Sequence, residues 1–442
     1  MTGRWGNGRS TAPAWIFVTL FLAALASLGL GRGVAAQEDE PPQAIRGRVF
    51  NEFLEDGEPV RQPVEGVRVV VETEAGEQVG EAETDAEGAY VVGIADPGTY
   101  VVRLDEELLP EDLGVEEGQG EATITVGANQ GVTRVFFLGE QFRETEGKLS
   151  VLPQTLANGL KLAMIIAITS IGLSLIFGTT GLSNFAHGEM VTFGALMAFY
   201  FNQTLSWHLL PAAAMATILS ALFGYLFDRQ VWRPLRRWHT SLTSMMIISI
   251  GLALGLRYLY LYFFGADVES YRHYTLQSAF DIGPISLTPR SMWVIALSLA
   301  IIIGVSLFLL KARFGKAIRA VSDNPELASS TGIDTNRVIA IVWIIGGALA
   351  GIGGVFYGLE FQVRWDMGFT LLLMMFAAIT LGGLGNPFGA LLGSLVVGVF
   401  VELWTWVVPN ANDLKTVGAL AALIIILLIR PQGLLGSKER IG

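Results

Sequence analysis

The sequence contains no cysteine, no Gly-x-x-x-x-Gly-Lys-Ser/Thr loop and no EF-hand loop. The first absence excludes disulfides, thiolate metal sites and a thiol nucleophile. The second leaves no P-loop for ATP chemistry in this chain. The third removes one calcium geometry. Residues 37–146 also lack histidine, and nothing there resembles a nucleophile site. That argues against an exported enzyme held by a membrane anchor.

Charge is scarce where apolar residues are dense. The hydrophobic fraction is 52% and the mean hydropathy +0.50. Several stretches reach the roughly 18 apolar residues that mark a transmembrane helix. The net charge of −11 is an average over unlike parts. Residues 1–36 carry three Arg and no acid, residues 37–146 carry 27 Asp+Glu against 7 Lys+Arg, and residues 147–442 carry 13 acids against 19 bases. The chain therefore reads as an acidic soluble piece followed by a mildly basic membrane piece.

Residues 1–36 combine Arg4 and Arg9, the apolar run Ala14–Leu30 and the small residues Val34-Ala35-Ala36 before Gln37. This is the pattern of a secretory signal peptide, with an uncleaved signal anchor as the alternative; either one exports the segment after Gln37. Residues 37–146 read as about seven short strands, among them Val67–Val71, Ala89–Ile94, Thr99–Leu104, Ala122–Val126 and Gly131–Leu138, the pattern of a small β-sandwich. Ala95-Asp96-Pro97-Gly98 supplies a turn between two of them. Asp85, Glu87 and Asp96 are candidate calcium ligands, but a solvated acidic face is the simpler reading. Gln141–Ser150 is a polar linker.

From 147 to 442 the hydropathy predicts about nine spans, near 155–178, 189–205, 209–231, 242–264, 291–310, 336–358, 369–384, 388–408 and 414–430. The pair at 369–408 is interrupted by Gly382-Gly383-Leu384-Gly385-Asn386-Pro387-Phe388-Gly389, which reads as a re-entrant break or a loop. Arg229, Arg233, Arg236 and Arg237 follow the third span. Lys311, Arg313, Lys316 and Arg319 follow the fifth, and Arg430, Lys438 and Arg440 close the chain. If the exported sandwich starts the first span outside, all three clusters fall inside, as the positive-inside rule requires.

Two stretches stand out. In Gly172–Gly194, a glycine-rich polar run interrupts two apolar helices: Gly178-Thr179-Thr180-Gly181, then Asn184-Phe185-Ala186-His187-Gly188-Glu189. In hydrocarbon such a break survives only inside protein or beside a water-filled cavity, and transporters place substrate at broken helices. The alternative is a polar turn at the membrane surface. In 311–337, a basic helical segment leads to Asp323-Asn324-Pro325-Glu326, a helix start with Asp323 or Asn324 as cap and Pro325 at the first helical position. The short helix ends at Gly332. It is either a connecting loop or a docking helix for a cytoplasmic motor.

Leu175–Glu189, with its Asn-Phe-Ala-His-Gly-Glu core, resembles the broken-helix signature of the branched-chain amino acid ABC permeases, specifically the smaller of that system's two membrane subunits. Gly315–Tyr357 is similar to their cytoplasmic loop and following glycine-rich span. Glu326-Leu327-Ala328-Ser329-Ser330-Thr331-Gly332 resembles the coupling pattern Glu-Ala-Ala followed by Gly, with Leu327 in place of the first Ala. Gly382–Gly389 and Arg430-Pro431-Gln432-Gly433-Leu434 extend the likeness over about 150–436. Thr84–Tyr90 and Pro97–Tyr100 resemble the carboxypeptidase-regulatory-like or Cna-B-like sandwiches, which are not part of the usual permease.

The resemblance implies a multi-span α-helical fold of the type II importer class with an added extracytoplasmic β-sandwich. It implies a permease and not an enzyme, located in the cell membrane with its C-terminus cytoplasmic. Expected partners are a second, non-identical permease, two ATP-binding subunits that hydrolyse ATP in trans, and an extracytoplasmic substrate-binding protein. This chain itself needs no cofactor and no metal. The substrate path is expected at Gly178, Gly181, Asn184, His187, Gly188, Glu189 and Asn386, and ATPase coupling at Asp323, Pro325, Glu326, Ala328 and Gly332. His187 either bonds a carbonyl in the packed interior or lines the path. Glu189 either favours a helix N-terminus or contacts substrate. Lys161 and Arg257 are expected to snorkel to the outer interface, and Tyr258, Tyr260, Tyr262, Trp404 and Trp406 to form interface belts. Gly346, Gly347, Gly351, Gly353 and Gly354 indicate close helix contact. The substrate expectation is a branched-chain or related amino acid. Urea or a short amide is the rival substrate, and a channel-like or sensory membrane protein the rival class.

Overall fold

The computed structural model describes residues 44–138, except 56–57, 74, 97, 106–108, 110–119 and 127–130. It also describes residues 151–407, except 267 and 273–278, together with isolated positions beyond 416. The expected leader at 1–36, the expected linker at 141–150, most of the expected span at 414–430 and the basic residues Arg430, Lys438 and Arg440 lie outside the described residues. The chain divides into two compact units, residues 33–146 and the part from 147 onward.

Among the described residues, eight strands build the first unit, one more than the sequence pattern predicts. They are β1 (Ala44–Glu55), β2 (Glu58–Pro63), β3 (Arg68–Thr73), β4 (Gln78–Glu83), β5 (Ala89–Gly93), β6 (Gly98–Leu104), β7 (Glu121–Val126) and β8 (Gly131–Leu138). β1 pairs with β2, with β5 and, in parallel, with β8, while β4-β3-β6-β7 form a second antiparallel sheet. Alternate residues turn inward, as strand geometry requires. Val69, Val71, Val102, Leu104, Phe136 and Leu138 thus form one buried core. Asp85 Oδ1 accepts the N–H groups of Glu87 and Ala89, a local turn of the kind aspartate favours.

The second unit runs through α1 (Leu152–Thr180), α2 (His187–Phe199, extended by a π turn at Tyr200–Thr204) and α3 (Leu209–Phe227). α3 continues through a π turn into α4 (Arg233–Arg237). Then come α5 (Leu242–Phe264), the hairpin β9 (Phe280–Ile282) and β10 (Ile285–Leu287), α6 (Pro289–Lys311), α7 (Arg313–Asp323), α8 (Pro325–Ser330), α9 (Thr335–Phe361), α10 (Met367–Gly382) and α11 (Pro387–Val407). Among the described residues, six helices are long and apolar enough to cross a bilayer: α1, α3 with its continuation, α5, α6, α9 and α11.

The expectation of about nine spans is therefore corrected. α2 has 13 residues and α10 has 16. At 1.5 Å per residue they are roughly 20 and 24 Å long, and α2 reaches only about 27 Å with its π turn, short of the ~30 Å hydrocarbon core. α2 lies wholly within the protein, all thirteen of its residues buried, and α10 is mostly buried.

The bundle repeats one pattern. α1, the break 181–186, α2 and α3 are matched by α9, the break 362–366, α10 and α11. α1 packs on α11 as α9 packs on α3. α1 and α9 run antiparallel: Lys161 meets Glu360, Thr169 meets Gly353 and Gly172 meets Gly346. The second pass is thus inverted relative to the first, an arrangement that in transporters brackets the substrate route. The glycines of α9 serve packing inside the chain. Gly347 lies against Ser220 and Gly224 of α3, and Gly351 against Gly194 of α2.

Candidate functional site

α1 ends where Gly181 takes a left-handed conformation (φ 68°), its N–H donating to Phe177 O. Residues 182–186 then return beside α1. His187 Nε2 lies 3.3 Å from the carbonyl of Thr169, eleven residues back from Thr180. At 1.5 Å per residue, α2 begins roughly 16 Å inside the Thr180 end of the bundle. The break is thus a return into the interior, not a surface turn. Asn184 holds it: its Oδ1 accepts the N–H of Ala186 and its carbonyl that of His187. The hydroxyl of Ser249 on α5 accepts the N–H of Phe185.

The start of α2 meets the start of α10. Gly188 and Gly368 are each the second residue of their helix, and a Cβ on either would overlap the other's carbonyl oxygen. Thr192 Oγ1 accepts the N–H of Gly368 at 3.0 Å. Two helix N-termini therefore converge inside the bundle, where the partial positive charge of the helix dipoles favours an anionic group.

Glu189, in the first turn of α2, is fully buried. Its Oε1 accepts Arg257 Nε at 3.1 Å and Nη2 at 2.9 Å. Its backbone carbonyl accepts the hydroxyl of Tyr260 at 3.0 Å. The guanidinium of Arg257 lies 4.1 Å from the centre of the Phe369 ring on α10, cation–π geometry. The expectation that Arg257 snorkels is corrected, because a buried carboxylate one helix away holds it inward. Lys161 is corrected likewise: its Nζ pairs with Glu360 Oε2 at 2.8 Å, and Ser291 Oγ donates to the same carboxylate. Tyr258 and Tyr262 are exposed, whereas Tyr260 is buried and leaves the expected belt.

The expected path residues separate into two groups. Asn184, His187, Gly188 and Glu189 are buried at the break. Gly178, Gly181 and Asn386 instead line a cavity of about 590 Å³ at the Thr180 end, between the ends of α1 and α6, the helix α7 and the turn 384–388. Asn386 also caps α11, its Oδ1 accepting the N–H groups of Phe388 and Gly389. A smaller cavity of about 240 Å³ lies at the opposite end, against Tyr271, Arg290 and Glu360.

α8 stands between α7 and α9, also at the Thr180 end. Asn324, not Asp323, caps it: Asn324 Oδ1 accepts the N–H of Leu327 at 2.9 Å, with Pro325 at the first position. Ala328 is buried and anchors the helix, whereas Glu326 and Leu327 are exposed. Gly332 closes it with φ 89°. Asp334 then caps α9 by accepting the N–H of Arg337. The sequence reading missed this cap, although Asp334 immediately precedes the apolar run, the usual sign of an N-terminal cap.

Residues 155–428 match the family described as the branched-chain amino acid transport system permease component. The chain belongs to that family. The high-affinity branched-chain amino acid transport system permease protein BraD of Pseudomonas aeruginosa is 31% identical over 301 residues, covering 65% of this chain and 96% of that protein. The protein of the same description named LivH, from Salmonella typhimurium, is 30% identical over 304 residues, with the same coverage. The nucleoside ABC transporter permease protein NupC of Lactococcus lactis is 28% identical over 274 residues, 58% of this chain and 83% of that protein. The relatives are transport permeases, not enzymes. The family permease is thus a multi-pass membrane protein carrying, outside the matched residues, an N-terminal β-rich unit.

Proposed function

We propose that this family permease is the path-forming membrane subunit of an ATP-driven importer for branched-chain amino acids. A partner ATPase docks on α8. The observation that carries the reading is α8 itself, a capped, polar, six-residue helix anchored by Ala328, with Glu326 and Leu327 turned outward. A passive pore has no need of such a projection. A motor that must move a helical bundle needs a rigid lever, which α8 and its continuous neighbour α7 supply.

Orientation follows from charge. Arg229, Arg233, Arg236 and Arg237 lie at the end of α3, and Lys311, Arg313, Lys316 and Arg319 surround α7; both clusters belong to the α8 end of the bundle. The positive-inside rule assigns that end to the cytoplasm and the start of α1, with the preceding sandwich, to the outside. ATP is hydrolysed by two partner subunits, and a binding protein delivers substrate from outside to this chain and a second, non-identical permease. Asn184, His187, Gly188 and Glu189 shape the inner wall of the route, and Gly178, Gly181 and Asn386 its cytoplasmic mouth. The branched-chain substrate is taken from the names of BraD and LivH.

Uptake of radiolabelled leucine and, separately, urea in cells with and without this chain, its partners present, tests the proposal. Loss of leucine uptake on deletion supports it. Loss of urea uptake alone keeps the importer and replaces the substrate, and no change in either removes the reading.

A further inference from the structure

Arg319 and Asp323 are four residues apart on α7, so they share a helix face, and both line the cavity of about 590 Å³ at the Thr180 end. They are not paired with one another: among the described ion pairs none joins them, and the polar contact of Arg319 Nη2 is a long one, 3.5 Å, to the carbonyl of Leu310. Asp323 is the last residue of α7, where the helix dipole disfavours a carboxylate and a cation is wanted. The cavity therefore offers a cationic and an anionic side chain side by side, each open to a partner. Its remaining wall carries an apolar group, Phe177 from α1, Leu309 from α6, Ile318 from α7 and Phe388 from α11, beside the polar side chains of Thr179, Ser322 and Asn386.

That combination selects a ligand class. A phosphate or nucleotide would set its charge against Asp323, and an inorganic cation would face Arg319. A zwitterion with an aliphatic side chain uses all three features: carboxylate to guanidinium, ammonium to carboxylate, side chain to the apolar group. The volume falls within the usual ~300–1,000 Å³ of small-molecule sites and admits a free amino acid of leucine size.

We infer that this cavity is a site for a free aliphatic amino acid taken from the side on which α8 stands, and that its occupancy restrains α8 and slows import. The inference rests on the permease reading above. The restraint follows from connectivity. One residue, Asn324, separates α7 from α8, and the opposite wall is the turn Leu384–Phe388, which joins α10 to α11 and has Gly385 against Gly178 of α1. A ligand bridging α7 to that wall holds the base of α8 against the bundle, the inner product acting on its own importer.

The experiment has two arms. In the first, the full-length chain in lipid nanodiscs is titrated with L-leucine by calorimetry. Saturable binding is expected, with no competition from 4-methylpentanoate, which lacks the ammonium, or from isopentylamine, which lacks the carboxylate. Arg319→Gln should weaken binding about tenfold or more, the effect of losing a charge-assisted hydrogen bond, and Arg319→Lys should recover most of it. Absence of leucine binding, binding indifferent to Arg319→Gln, or equal binding of inorganic phosphate overturns the site. In the second arm, proteoliposomes holding the complete transporter are loaded with or without leucine. Internal leucine should lower the initial uptake rate in the wild type and lose that effect in Arg319→Gln. Uptake that proceeds regardless of internal leucine overturns the feedback and leaves the permease standing. Absence of all uptake defeats the permease reading, while the titration still decides the site.

Discussion

Arg257, in the middle of an apolar span, places Nε and Nη2 on one carboxylate oxygen of Glu189, 68 residues earlier in the chain, at 3.1 and 2.9 Å. The pair ties α5 to the first turn of α2, and Phe369 covers the guanidinium from α10. Three elements around the break are thus fixed by one ion pair. Removing one member of a buried pair leaves an uncompensated charge, at a cost of about 3–5 kcal/mol. Arg257→Ala and Glu189→Ala are each expected to lower the melting temperature of the detergent-purified chain strongly. The double variant Glu189→Gln/Arg257→Leu should lose much less than the sum of the two losses. Additive losses would show that the two side chains act separately.

The contact between Gly188 and Gly368 sets how closely α2 and α10 approach. A methyl group at either position overlaps backbone, which cannot swing aside as a side chain does. Gly188→Ala and Gly368→Ala are expected to cost about 1–3 kcal/mol or more through overpacking and to reduce leucine uptake. Gly251→Ala on α5 and Gly304→Ala on α6 are the controls. A Cβ at either meets nothing within 4 Å, and alanine is the better helix former by about 1 kcal/mol. Equal losses at all four positions, in folded yield and uptake, would remove the special role of the α2–α10 contact.

Much of this architecture is legible along the chain. Runs of consecutive valines announce β3 and β6, apolar runs announce the long helices, and the Asn-Pro-Glu start announces α8. What the sequence could not supply were relationships across the chain. An apolar run has the same composition facing lipid or facing protein, so α2 and α10 read as spans, and their shortness in the structure sets them apart. Arg257 and Lys161 read as snorkelling cations because their carboxylates lie 68 and 199 residues away. Asp323 and Asn324 were equal as caps until backbone geometry chose Asn324 and left Asp323 facing a cavity. The break between α1 and α2 was legible, but the division of the candidate path residues into a buried group and a cavity group depends on how far residues 182–186 climb back along α1.

Glu326 and Leu327 are the exposed pair on α8, and Ala328 its buried anchor. Glu326→Lys reverses the charge without disturbing any bond that holds the helix, since Asn324 and Pro325 provide the cap. It is expected to weaken recovery of the ATPase with the affinity-purified permease while leaving the permease's yield and melting temperature unchanged. Ala328→Lys, by contrast, places a cation in a buried position and should destabilise α8 itself, lowering recovery and thermal stability together. Undiminished ATPase recovery with Glu326→Lys would remove this face from the docking surface.

The sandwich has a core of its own, built around Val69, Val71, Val102 and Leu104. Its central tie is Tyr90, whose hydroxyl donates to the carbonyl of Arg134 at 3.1 Å and whose ring lies 6.4 Å from that of Phe136. Burial pushes the Tyr90 phenol far above its ordinary value, although Arg134 pulls the other way, so it stays a neutral donor at any physiological pH. Gly47 on β1 makes room for this: a Cβ there would overlap Arg134 O and press on the Tyr90 ring. Gly47→Val is therefore expected to unfold the sandwich. Because the sandwich has a core of its own, neither Gly47→Val nor deletion of residues 37–146 is expected to prevent membrane insertion or recovery of the ATPase, provided residues 1–36 are kept. Protease protection of the bundle in isolated membranes, with ATPase recovery alongside, measures this. A deletion that inserts yet loses leucine uptake would assign the sandwich to substrate delivery. A deletion that fails to insert would make it a structural part of the permease.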